Sequence, residues 1–369
     1  MRGQGRFQKV GNMLSCHSSI MISHNTAAPF VTPLSLKQKI IQTNEDQIFI
    51  TQSRKTIKNI FKKRDSRLLL LVGPCSIHDI EATLEYGRRL KQLSEDVKDK
   101  IFIVMRAYVE KPRTSLGWKG FFYDPYLDGS YAIETGALQT RQLFSSLTKW
   151  RLPLGAELLE PATAPFYADF LSWGCIGART SASPPHRQFA SGLPFAMGFK
   201  NSIDGNLDIA VQGSLTASQS HVFLGLDAHG QLVPHVTKGN TTCHIILRGS
   251  EQRPNYFPED LAQAVQKCQQ ADVCSQVMID CSHGNSSKQH LKQSAVFQAV
   301  LEQRLQGNSH LVACMLESFL EEGSQPIHSD LKWGVSVTDA CLSWKMTEEL
   351  IQEAYHALPT ISVSEPIMV

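Results

Sequence analysis

The chain has 369 residues, 42% of them apolar, and 36 Lys+Arg against 34 Asp+Glu leave a formal net charge of +2. That length holds one large domain or two medium ones; 19% charged residues and 17 Phe exclude a disordered chain, and the near-neutral balance excludes a polyanion binder such as a nucleic-acid protein. No apolar run approaches the roughly 20 residues of a membrane helix, and nine Cys without a CxxC pair exclude a disulfide scaffold and fit reduced thiols in the cytoplasm.

Taken in order, residues 1–44 hold no acidic residue, with Arg2, Arg6 and Lys9 among several Ser. Residues 1–31 read as a flexible or mis-started extension (Met13 and Met21 follow), with an organellar transit peptide as the alternative. Residues 32–66 turn helical, with Ile57, Ile60 and Phe61 at helical spacing. From residue 67 to about 360 the pattern alternates. Short apolar runs at 68–72, 101–105, 152–156, 175–178, 195–199, 244–247, 276–279 and 311–316 are separated by helix-length segments. Those segments lie at 79–97, 131–150, 164–173, 183–191, 204–218, 258–271, 287–304 and 345–358.

Strands apolar on both faces and alternating with helices predict a parallel sheet covered on all sides. Eight such units in about 290 residues predict an α/β fold, a (β/α)8 TIM barrel. A doubly wound open sheet is the rival, but no GxGxxG follows the first run. Two further β-rich runs, at 221–226 and 232–237, flank Asp227-Ala228-His229-Gly230. They predict a β-hairpin over about 220–238, inserted between helix 5 and strand 6.

In such a barrel the chemistry sits where the strands end. The residues leaving the eight runs are Cys75, Arg106, Glu157, Arg179, Lys200, Arg248, His283 and Glu317. Each can bind a metal or an anion, a coincidence that solvated loops would not produce. Arg106, Arg179, Lys200 and Arg248 would repel one another in one mouth unless an anion binds there, and guanidinium forks suit phosphate or carboxylate. Cys75, His283 and Glu317, with Asp339 in the following loop, offer S, N, O and O donors. That mix suits Mn, Fe, Co or Zn rather than Mg or Ca. A second basic element, Lys111-Pro112-Arg113-Thr114 after Glu110, reads as a phosphate clamp stiffened by proline. Two cationic groups around a metal predict two anionic substrates. His186, His221, His229, His244 and His290 read as surface or core imidazoles, and the eight Cys other than Cys75 as inert thiols.

Seven collinear motifs carry a resemblance: Gly73-Pro74-Cys75-Ser76-Ile77-His78-Asp79, Lys111-Pro112-Arg113-Thr114, Gly177-Ala178-Arg179-Thr180, Gly198-Phe199-Lys200-Asn201, Ile246-Leu247-Arg248-Gly249, Asp280-Cys281-Ser282-His283 and Ser336-Val337-Thr338-Asp339-Ala340. From about residue 32 to 358 the chain resembles class I 3-deoxy-D-arabino-heptulosonate 7-phosphate (DAHP) synthase. The resemblance implies condensation of phosphoenolpyruvate with D-erythrose 4-phosphate, the first step of the shikimate pathway. It implies one divalent metal, with Mn favoured, on Cys75, His283, Glu317 and Asp339. Phosphoenolpyruvate would lie on Arg106, Arg179, Lys200 and Arg248, and the aldose phosphate on Lys111, Pro112, Arg113 and Thr114. Lys111 and Glu157 would take part in proton transfer and in orienting a carboxylate or water, so the implied catalytic set is Lys111, Cys75, His283 and Glu157.

Two alternatives stay open. One is a synthase resembling 3-deoxy-D-manno-octulosonate 8-phosphate synthase, whose clamp reads more like Lys-Ala-Asn-Arg; the other is a non-catalytic regulatory paralogue that binds sugar phosphates. The resemblance also implies feedback by an aromatic amino acid. Pro161 and Gly225 look like the tyrosine-sensitive branch, although Pro184-Pro185 and Pro194 depart from the family pattern nearby. A homodimer or homotetramer is the implied assembly.

Overall fold

The eight apolar runs become the staves of a closed barrel. The computed structural model describes residues 30–113 and 116–359, and the barrel lies in the unit that begins at Val31. The strands are β1 (Leu68–Gly73), β2 (Ile101–Arg106), β3 (Leu154–Glu157), β4 (Leu171–Ile176), β5 (Ala196–Lys200), the hairpin pair β6 (Val222–Leu226) and β7 (Leu232–Val236), then β8 (Cys243–Leu247), β9 (Val277–Asp280) and β10 (Leu311–Glu317). All but the hairpin pair run parallel, in the order β1-β2-β3-β4-β5-β8-β9-β10, with β10 closing on β1. Every residue of β1 and of β10 is buried, as two covered faces require.

Helices supply the cover: α3 (Ile80–Asp96), α4 (Ile133–Lys149), α5 (Pro184–Ser191), α6 (Asp208–Ser218), α7 (Pro258–Gln270), α8 (Lys292–Leu305) and α9 (Trp344–Ala357). Their starts follow local chemistry. Asp79 caps α3 by accepting from the Ala82 amide at 2.9 Å, and Pro184 and Pro258 open α5 and α7 where no amide partner is needed. Among the described residues no helix is long and apolar enough to cross a membrane.

Two helices precede the barrel, α1 (Pro33–Lys39) and α2 (Asn44–Phe61). The longer one opens with a capping box between Thr43 and Asp46 and buries Ile57, Ile60 and Phe61. Phe61 stacks on His244 of β8 with 3.8 Å between ring centroids, and its carbonyl lies near Cys274, just ahead of β9. This helix therefore plugs the end of the barrel opposite the strand exits. His244 accepts from Trp173 Nε1 at 3.3 Å, and burial pushes its imidazole down to about 3. It is a neutral core residue.

The hairpin pairs antiparallel outside the barrel, between α6 and β8. Asp227 accepts the amides of His229 and Gln231 at 2.8 Å each, and Gly230 takes a φ of +74° that closes the turn.

Four expected elements are corrected. The segment 164–173 is not an α-helix: it forms two 3₁₀ turns, Ala164–Phe166 and Ala168–Phe170, and then enters β4. Ser172 and Gly174 interrupt the apolar run, so the strand at 175–178 is assigned too late, and Arg179 lies three residues beyond the true strand end. The helix expected from 287 starts at Lys292, because Ser287 and Lys288 hold φ of +52° and +58°, outside the helical region. The helix expected from 204 starts at Asp208, after a turn in which Ser202 and Asp204 bond the Asn206 amide.

Candidate active site

Parallel strands deliver their last residues to one face. Arg106, Glu157, Lys200 and Glu317 end β2, β3, β5 and β10, and Arg248 follows β8 directly. They line a cavity of about 690 Å³, together with Lys111, Pro112, Arg113, Arg179, His283 and Asp339. Cys75 sits beside this cavity, fully buried two residues past β1. Thr114 lies outside the described residues.

Cys75, Glu317 and Asp339 bring their ligand atoms within 4.8 Å of one another, with Cys75 Sγ 3.7 Å from Asp339 Oδ2. His283 stands outside this trio. Its Nδ1 lies 3.0 Å from Asp280 and 2.7 Å from Ser282 Oγ, which leaves Nε2 as its other donor atom. Its φ of +54° turns the chain sharply after β9. The trio offers one sulfur and two oxygens, and the imidazole would add a nitrogen, a set that fits a borderline divalent ion.

The cations are held by specific neighbours. Arg106 is buried, donates to Glu317 at 3.0 Å, and lies 4.1 Å over the Tyr108 ring. Burial opposes its charge, but the surrounding Glu317 and Asp280 carboxylates outweigh it and hold its pKa above the ordinary arginine value. Lys200 pairs with Asp280 at 2.8 Å. Arg248 anchors its backbone amide on Asn201 Oδ1 at 2.8 Å. Burial pushes its guanidinium down, and Arg179 adds repulsion. Two cations this close favour an anion bound between them.

Lys111 Nζ donates to Cys75 Sγ at 3.0 Å and to the Cys75 carbonyl at 3.1 Å. Burial opposes its charge, yet Glu317 and Asp339 help to hold its pKa above the usual lysine value. Burial, then the Glu317 charge, pushes the Cys75 thiol up to about 11. A metal must therefore displace the thiol proton at neutral pH. Glu157 fits its place because residue 177 is glycine: a Cβ there would fall 1.9 Å from Glu157 Oε1.

Two residues of this region escaped the sequence reading. Asp280 joins Lys200 to His283 from a fully buried position. Its only signal was its place in the Asp280-Cys281-Ser282-His283 motif. Glu110, next to the clamp, buries its carboxylate against Thr163 Oγ1, the Tyr167 hydroxyl and the Leu159 amide. Burial raises it to about 7. A charged residue before Lys111 gives no hint of that from sequence.

A second cavity, of about 890 Å³, lies between the inner face of the hairpin, α5 and the loop after β3, and both Pro161 and Gly225 line it. Phe223 and His235 stack within it at 5.5 Å. His186 bridges the Leu159 carbonyl and Ser183 Oγ at 2.8 Å each.

A closed parallel barrel that gathers cations at its strand ends, beside a thiol and two carboxylates, defines an enzyme class that handles small anionic substrates. Comparison with known proteins narrows it. Residues 38–352 match the family model described as the DAHP synthetase I family. The chain is 44% identical over 331 residues to the Tyr-sensitive phospho-2-dehydro-3-deoxyheptonate aldolase of Escherichia coli strain K12, covering 89% of this chain and 93% of that one. It is 41% identical over 336 residues to the tyrosine-inhibited aldolase of Schizosaccharomyces pombe, with 89% and 90% covered. A solved phospho-2-dehydro-3-deoxyheptonate aldolase from Francisella tularensis SCHU S4 superposes with a TM-score of 0.88 at 39% identity, over 91% of this chain and 98% of that one. The chain belongs to the DAHP synthetase I family.

Proposed function

We propose that this chain condenses phosphoenolpyruvate with D-erythrose 4-phosphate and water to give DAHP and phosphate, opening the shikimate route to aromatic amino acids. The observation that carries this reading is the convergence of Arg106, Arg179, Lys200 and Arg248 on one cavity, with the Cys75, Glu317 and Asp339 trio at its side. The four cations hold phosphoenolpyruvate, and Lys111, Pro112, Arg113 and Thr114 hold the aldose phosphate. Cys75, Glu317, Asp339 and His283 would hold one divalent metal, Mn favoured, which supplies Lewis acidity toward the aldehyde when bound.

The chain's own groups account for the remaining steps. Cations on the phosphate and carboxylate fix the enol carbon against the aldehyde, and the carbon–carbon bond forms between them. Lys111, kept protonated by its acidic neighbours, is the donor for the oxygen that becomes the alkoxide. Glu157 orients the carboxylate end of the enol donor or the water that adds to its second carbon. Breaking that carbon's bond to the phosphate oxygen releases phosphate, whose charge the same arginines and lysine stabilise.

Tyrosine is the proposed effector, in the cavity lined by Pro161 and Gly225. A glycine on the hairpin's inner face leaves room there, since a Cβ would meet His235 Cδ2 at 2.9 Å. A homodimer or homotetramer is the proposed assembly, supported by the outer face of the hairpin, where Val222, Leu224, Leu232 and Val236 stay exposed.

The test is phosphoenolpyruvate consumption by purified protein with erythrose 4-phosphate or with arabinose 5-phosphate. The expected result is turnover with the four-carbon aldose and at least a hundredfold preference for it. Preference for the five-carbon aldose would overturn the assignment. In the same assay tyrosine should inhibit; inhibition by phenylalanine and not by tyrosine would reject the effector.

A further inference from the structure

Asp280 is the last residue of β9 and has no solvent exposure. One of its oxygens, Oδ2, lies 2.8 Å from Lys200 Nζ and 3.0 Å from His283 Nδ1. The other, Oδ1, accepts the Ser282 amide at 3.1 Å and the Ser282 hydroxyl at 2.6 Å. Asn285 Nδ2 holds the Asp280 backbone carbonyl at 2.8 Å, so the main chain of the residue is anchored as well. Lys200 belongs to the anion half of the cavity and His283 to the metal half, and a single oxygen atom touches both.

We propose that Asp280 is a positioning residue shared by the two halves of the site, and that metal binding and phosphoenolpyruvate binding are coupled through its carboxylate. This inference rests on the function proposed above. Asp280 Oδ2 lies 3.0 Å from His283 Nδ1, and Ser282 Oγ, whose proton goes to Asp280 Oδ1, lies 2.7 Å from the same atom. These acceptors favour the tautomer with its proton on Nδ1 and a lone pair on Nε2, the atom left for a metal. The same oxygen holds the Lys200 ammonium in place for the anion. A group that draws on one side of this carboxylate changes what it offers the other side, so each ligand alters the affinity for its companion by the same factor.

Asparagine keeps the shape but cannot serve both sides. With its amide oxygen toward Lys200 and His283, its NH2 faces the Ser282 amide, donor against donor. With the amide flipped, the NH2 faces two other donors. Either orientation loses a hydrogen bond as well as the charge.

The experiment uses full-length protein stripped of metal. Mn2+ affinity is titrated without substrate and again at saturating phosphoenolpyruvate, and phosphoenolpyruvate affinity is titrated without metal. The two Mn2+ affinities should differ in the wild type and converge in Asp280→Asn, and equal values in the wild type would overturn the coupling. Asp280→Asn is expected to weaken Mn2+ binding by roughly 10- to 100-fold and to weaken metal-free phosphoenolpyruvate binding by about tenfold. Because binding is measured and erythrose 4-phosphate is absent, the result does not depend on turnover, which tests the proposed function separately. A folded variant that loses affinity for only one ligand, or for neither, overturns the shared role. Should Asp280→Asn fail to fold, Ser282→Ala, which removes the hydroxyl from Oδ1 and leaves the backbone amide on it, reads the same linkage. Both affinities should then fall several-fold together, and no change in either would overturn the proposal.

Discussion

Glu110 carries a charge state set against its ordinary chemistry. Burial raises its pKa from the usual carboxylate value to about 7, although hydrogen bonds from Thr163, Leu159 and Tyr167 favour the anion. The folded protein therefore holds a proton that the unfolded chain has released between roughly pH 4.5 and 7. The stability this proton contributes is complete below about 4.5 and is lost as pH rises through about 7. Glu110→Gln should flatten that slope, so its urea midpoints at pH 5 and pH 8 should differ less than those of the wild type. Equal slopes in the two proteins would contradict the assignment. Gly177 offers a second test at this scale. A methyl group at 1.9 Å from Glu157 Oε1 must displace the carboxylate, so Gly177→Ala should lower kcat/KM for phosphoenolpyruvate by about tenfold or more. Strand-end residues were legible because position along a run predicts direction. Asp280 and Glu110 were not, because Lys200 for the one, and Thr163 and Tyr167 for the other, lie far away in the chain.

Among the elements, the barrel strands were legible wherever the apolar run was unbroken, as in β1 and β10. β4 was misplaced because Ser172 and Gly174 dilute its run, and because Trp173 fits a helix pattern equally well. The helix at Asn44–Phe61 was visible as helical, yet nothing in its spacing revealed that it closes the barrel. Phe61 is 2% exposed and stacked on His244. Phe61→Ala should cost roughly 3–5 kcal/mol of stability, read as a lower urea midpoint with an unchanged slope. The hairpin was legible from its turn, and its inner face lines the second cavity. Gly225→Ala places a Cβ 2.9 Å from His235 Cδ2 and so narrows that cavity. It should raise the tyrosine concentration for half-inhibition by about tenfold, equivalent to about 1.4 kcal/mol. An unchanged value would move the effector elsewhere.

At the scale of the whole molecule, a net charge of +2 conceals a local excess. Eight Lys and Arg against four Asp and Glu line the 690 Å³ cavity. Bulk composition excluded a polyanion partner, and the fold then concentrated positive charge where two small phosphates can bind. On the proposed reading, the trio beside the cavity is what makes it a catalyst rather than an anion store. The decisive measurement is phosphate release from phosphoenolpyruvate, dependent on erythrose 4-phosphate, by protein stripped with a chelator and then titrated with Mn2+. Activity should vanish on stripping, return in proportion to metal up to one ion per chain, and fail to return in Cys75→Ala at the same metal concentration. Full turnover by the stripped protein, or by Cys75→Ala at wild-type metal demand, would contradict the account.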